Sequence, residues 1–183
     1  MTERYKMFAG YNAWASERVY DAAAKLTDAD YRADRGAFFK SVHGTLNHLL
    51  VADRIWMRRF TGAGDAPNRL DAVLFEEFKP LRDARRAEDV RISNFCAELT
   101  AERIKSDFTY RTIVNATTIK QPLAPALDHF FNHQTHHRGQ LHALLTAIGG
   151  RDFAPSLDLI LFQRETGAGG IVQRVGVNNV TLT

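Results

Sequence analysis

The sequence predicts an all-α protein: a four-helix bundle with a short extended hairpin before the last long helix and a short C-terminal helix and tail. Four long stretches repeat apolar residues at three-to-four spacing, Gly- and Pro-bearing segments punctuate them, and one connection is long enough to cross over an end of the bundle. With 183 residues, 45% of them hydrophobic, the chain fits one domain with a sizeable core.

The first helix is predicted over residues 3–25, where Tyr5, Phe8, Tyr11, Trp14, Val19 and Ala23 recur on one face. The second runs from about Phe39 to Phe60 and stops at TGAGDAPN, whose glycines and proline mark a loop. A third is predicted from Leu81 to about Ile104, with Pro80 suited to its first turn and Ile92, Phe95 and Leu99 on its apolar side. SDFTYRTIVNATTIKQPL alternates and is rich in Thr, Ile, Val and aromatics, which predicts the hairpin. The fourth long helix spans about Leu123 to Ile148 and ends at Gly149-Gly150. APSLDLILFQR adds a short helix, and the Gly-rich end TGAGGIVQRVGVNNVTLT is expected to be loosely held or given to a partner.

Composition narrows the function. The net charge of +3 comes from 24 basic against 21 acidic residues, so the surface is mixed rather than basic. The arginine-rich stretches at 54–60 and 82–91 read as solvated helix faces before they read as a phosphate-binding track, and no nucleic-acid partner is expected. No apolar run reaches membrane-spanning length and the charged N-terminus lacks the apolar stretch of a signal peptide; a cytoplasmic protein without membrane association is expected. The single cysteine, Cys96, rules out an internal disulfide and a Cys-based zinc cluster, leaving His, Asp and Glu for any metal. Glu-x-x-His, His-Glu-x-x-His, Gly-x-Ser-x-Gly and the phosphate loop are absent, and GAGG at 167–170 lacks dinucleotide-binding spacing.

NHQTHHRGQ, residues 132–140, holds three histidines, with His129 and His142 close by. Advancing about 100° per residue from His133 at zero, His137 falls at about 40°, inside the apolar stripe of Ala126, Phe130, Leu141, Leu144 and Ile148, with His133 at its edge. His136 and His142 fall on the outer face with Asp128, Asn132 and Thr135. One turn apart, His133 and His137 can aim both imidazoles at one point, as a zinc-like ion requires. A third ligand is sought on another helix. On the second helix His43, Asn47, Arg54 and Arg58 form the polar stripe, while His48 lies beside Ala52 and Ile55 and points inward. His129 competes by continuing the ladder, although three ligands over two turns reach one ion poorly. Hydrogen-bonded core histidines remain the alternative.

The chain also resembles the DinB-like (DinB/YfiT) family of metal-binding helical bundles. YNAWASERVY, SVHGTLNHLLVADRIWMRRF, NHQTHHRGQLHALL and PSLDLILF match in order, and His-x-x-x-His-Arg-Gly-Gln in the third is the family hallmark. Ser16 stands where the family often has Asn, at a position that carries no ligand. The match ends near residue 165, leaving a bundle domain over 1–165 and a tail over 166–183. The resemblance implies metal ligation by His48, His133 and His137, an up-down-down-up bundle, homodimers, and one divalent transition-metal ion: nickel or zinc first, then iron, manganese or cobalt. It further implies thiol-dependent transferase or isomerase chemistry with a low-molecular-weight thiol as substrate. A non-catalytic metal-binding or interaction bundle of the stress-response type is the alternative.

Overall fold

A computed structural model of the chain describes residues 2–113, 115–168 and 170. The tail expected over 166–183 lies almost entirely outside the described residues. The protein is mostly helical: α1 (Thr2–Ala23), α2 (Asp28–Arg32), α3 (Val42–Thr61), α4 (Phe78–Ala97), α5 (Ala101–Lys105), α6 (Leu123–Gly149) and α7 (Leu159–Thr166). The strands β1 (Asp107–Arg111) and β2 (Thr118–Pro122) form an antiparallel hairpin in which Thr109 faces Lys120. None of the described helices is long and apolar enough to cross a membrane.

Local chemistry explains the boundaries. Ser41 starts α3 by accepting the Gly44 N–H, and Gly62 ends it in the left-handed region at φ 72°. The single third helix expected over 81–104 is in fact two: Thr100 accepts the Arg103 N–H and caps a new turn, so α4 stops at Ala97 and α5 begins at Ala101. Thr27 likewise caps α2, which the sequence did not predict, by accepting from Asp30. α6 starts and ends within a residue of expectation.

α1 packs on α4 and α6, and α3 packs on the same two. The core holds two large apolar clusters and a small third one of Tyr11, Ala15 and Phe162. One large cluster gathers Tyr5, Trp56, Phe60, Ile92, Leu123 and Phe130; the other gathers Val19, Leu46, Leu50, Leu81, Leu141 and Leu145. Between the two large clusters each long helix carries buried polar side chains: Asn12 on α1, Asp53 on α3, Arg85 and Asp89 on α4, Gln134 and Arg138 on α6. A charged belt therefore divides the core at mid-height.

The belt is closed by hydrogen bonds. Arg85 pairs with Asp53 and, at 2.9 Å, with Asp89; Asn12 donates to Asp89 at 3.0 Å and accepts from Arg138, and Gln134 donates to Asp53. Two guanidinium groups thus offset two carboxylates, which is how charges survive away from water. Arg85 is held firmly protonated by the two carboxylates against its burial. Because Gln134 and Arg138 alternate with His133 and His137 along α6, the belt also fixes the rotation of that helix and turns the histidines toward α3.

The second helix departs from expectation on its polar stripe. His43 and Asn47 are buried, because the connection between α3 and α4 folds back over them. Asn47 Oδ1 accepts the N–H groups of Leu74 and Phe75 at 2.8 and 3.1 Å, its amide donates to the Phe75 carbonyl at 3.1 Å, and His43 Nε2 meets the same carbonyl at 3.0 Å. Polar side chains read as solvent-facing in fact supply hydrogen-bond partners for a returning loop.

Candidate metal centre

His48 on α3 and His133 and His137 on α6 come together between the two helices, with a nitrogen from each within 4.8 Å of the others. His137 Nε2 lies 3.2 Å from His48 Nε2 and 3.1 Å from His133 Nε2. For ligand distances of about 2.0–2.1 Å such separations correspond to an angle of roughly 100° at a shared ion, within the range of a tetrahedral zinc-like site with positions left over. Among the described residues no carboxylate or thiol joins the cluster, and the donor set is three imidazole nitrogens.

Tautomers make the arrangement specific. His48 Nδ1 lies 2.8 Å from the Leu70 carbonyl oxygen, and His137 Nδ1 lies 2.8 Å from Gln140 Oε1. Both partners only accept, so in the neutral rings the proton sits on Nδ1 and each Nε2 carries a lone pair. Two lone pairs that face each other at 3.2 Å cannot form a hydrogen bond, whereas a cation between them satisfies both. Gln140 is oriented in turn by its amide nitrogen, 3.3 Å from His136 Nε2.

The surroundings keep the imidazoles neutral. Burial pushes His48 down to about 4 against the pull of the Leu70 carbonyl, and burial with the neighbouring histidines pushes His133 down to about 3. His137 is lowered by burial, with Gln140 acting the other way. Phe39 stacks on His48 with ring centroids 3.7 Å apart and meets His137 edge-on, shielding that side from water.

His129 is not among the converging nitrogens and packs its ring 5.1 Å from that of Trp56, so the single-helix ladder does not close. His136 is exposed and His142 half-buried, on the outer face where the helical register put them. Beside His133 opens a cavity of about 220 Å³ lined by Trp56, Arg59, Leu70, Tyr110 and His129 among others. Sequence reasoning missed three supports of the site: Leu70, Phe39 and Gln140. Only Gln140 had a legible signal, one turn after His136 in the motif. Leu70 acts through its backbone, and Phe39 reaches His48 by a turn that Lys40 makes at φ 66°.

Elsewhere, Cys96 is a free buried thiol that its apolar surroundings push up to about 12, which leaves it protonated and inert. Arg82, Arg85, Arg86 and Arg91 each pair with an acidic side chain.

The family model described as DinB family matches residues 1–167. The chain is 25% identical over 164 residues to Protein DinB of Bacillus subtilis (strain 168), a match that covers 85% of this chain and 92% of that protein. No solved structure matches.

Proposed function

The chain belongs to the DinB family, and from that premise we propose that His48, His133 and His137 hold one divalent transition-metal ion in a metal-dependent enzyme. The observation that carries this is the approach of His48 Nε2 and His137 Nε2 to 3.2 Å while an oxygen faces the Nδ1 of each ring. Three neutral nitrogens with no fourth donor among the described residues leave positions for water and a substrate atom, the pattern of catalytic rather than structural sites. When bound, a nickel- or zinc-like ion supplies Lewis acidity and lowers the pKa of a coordinated water or thiol. The chain's own contribution is to orient the three rings, keep them unprotonated and exclude water behind Phe39. The thiol-dependent transferase or isomerase chemistry implied by the sequence resemblance is kept as the reaction class.

The same reading takes the long helices as an up-down-down-up bundle. In its support, one apolar cluster draws on the N-terminal parts of α1 and α6 and the C-terminal parts of α3 and α4, and the other on the reverse. Elemental analysis of untagged protein tests the metal. About one equivalent of a transition metal is expected, as purified or after incubation with nickel or zinc; less than about 0.2 equivalents in both states overturns the proposal.

A further inference from the structure

The cavity beside His133 has an unusual charge balance. Its lining includes one cation, Arg59, and two neutral-leaning histidines, His129 and His133, and no acidic residue among the described ones. The Arg59 guanidinium is half-buried, 4.6 Å from the centre of the Trp56 ring and 4.9 Å from that of Tyr110. Among the described residues its one hydrogen bond is to the Arg111 carbonyl at 3.1 Å, and no carboxylate lies within ion-pair distance. A guanidinium carries five N–H donors, so most of this fork is uncommitted. The other arginines of α3 are placed differently: Arg54 faces Glu88, and Arg58 is exposed and donates to Gly64.

The neighbouring site adds to the imbalance. Three imidazoles bring no negative charge, so a divalent ion held there retains its full double charge next to Arg59. Positive charge half removed from water calls for an anionic partner. Apart from Thr112 the rest of the wall is aliphatic or aromatic, and a volume of about 220 Å³ falls below the usual range of drug-sized pockets.

We propose that this cavity binds a small organic carboxylate with an apolar body, its acid group on the free edge of Arg59 and its second donor group facing the three histidines at His133. Trp56 and Tyr110 hold the guanidinium flat and make Arg59 the residue that selects acids over neutral analogues. The position of the second donor rests on the metal reading above; the Arg59 contact does not.

The test uses two thiols of equal length, 3-mercaptopropionate and 3-mercapto-1-propanol, titrated calorimetrically into nickel-treated wild type, Arg59→Gln and Arg59→Lys. Wild type is expected to bind the acid about tenfold more tightly or better, the value of a charge-assisted hydrogen bond. Arg59→Gln should lose that preference with nickel content and circular dichroism unchanged, and Arg59→Lys should retain part of it. Equal affinities in wild type, or a preference that survives Arg59→Gln, overturn the proposal. Metal-free protein separates the two readings. A preference that persists there in a protein unable to take up nickel defeats the metal site and leaves the carboxylate site standing. Nickel bound without any preference defeats the carboxylate site alone.

Discussion

The imidazole of His48 and the carbonyl oxygen of Leu70 meet at 2.8 Å, which makes the connection between α3 and α4 a part of the three-histidine cluster although it adds no imidazole to it. That bond sets the His48 tautomer and ring plane. The connection is pinned in turn by Asn47, one residue before His48, through the N–H groups of Leu74 and Phe75.

Asn47→Ala is therefore expected to act at a distance. Removing the buried amide leaves two backbone donors without partners and should cost about 2–3 kcal/mol, read as a lower urea midpoint. Metal should also be lost faster to a chelator, as Leu70 is released. A variant with normal chelator kinetics would show that Leu70 is held without Asn47.

Among the histidines, His48→Ala, His133→Ala and His137→Ala should each lose stoichiometric metal in elemental analysis, because two ligands hold an ion poorly against water. His129→Ala should retain it, since His129 lies outside the group of converging nitrogens and packs on Trp56. His136→Ala should retain it with an affinity reduced no more than about tenfold, the low end for an outer support, through the loss of its contact with Gln140. Loss of metal in His136→Ala together with retention in His137→Ala would refute the site.

Acid should destabilise the metal-free protein before it unfolds by other routes. His48 sits at about 4 in the fold and near 6.5 in the unfolded chain, so the unfolded state takes up the proton first. Its contribution is present above about pH 6.5 and is lost as the pH falls toward 4; for this 4% exposed ring it is on the order of 3 kcal/mol. Urea midpoints at pH 7.5, 6 and 5 should fall in that order, and a flat profile would mean the ring is not desolvated. An unperturbed imidazole near 6.5 would release metal around pH 5. With the folded rings at about 4 and 3, loaded protein should still hold its metal at pH 5.

Asp53→Ala leaves Arg85 deep in the core with one of its two carboxylates gone. A loss of about 3–5 kcal/mol is expected, enough to shift the thermal midpoint by several degrees. Asp53→Ala combined with Arg85→Met should recover much of it, because an apolar pair needs no counter-charge. Failure of the double variant to recover would show that the belt's specific hydrogen bonds matter more than its charge balance.

Gly44→Ala probes the cover of the site. A methyl group at Gly44 would come within 2.1 Å of the Phe39 carbonyl oxygen, so the turn bearing the ring stacked on His48 must shift. A cost of about 1–3 kcal/mol is expected, accompanied by weaker metal retention. Stability lost without any change in retention would place the Phe39 ring outside the function of the site.

Periodicity and spacing in the sequence determined the long helices, the hairpin and the inward face of α6, because a 3.6-residue repeat follows from local backbone geometry alone. The same repeat separated His133 and His137 from His136. It favoured His48, yet could not remove His129, since which helix faces α6 is not a local property. Tertiary structure decided that by bringing α3 against α6 and leaving His129 beside Trp56. It also decided the fate of His43 and Asn47, polar residues on a face that a returning loop buries, and of Leu70, whose part is played by a carbonyl that every residue possesses. The break at Thr100 was written locally, as a cap three residues before Arg103, but helical periodicity continued across it and hid it. Side-chain pattern records where a residue points along its own helix; what it meets there depends on elements distant in the chain, and on backbone groups that carry no sequence signal.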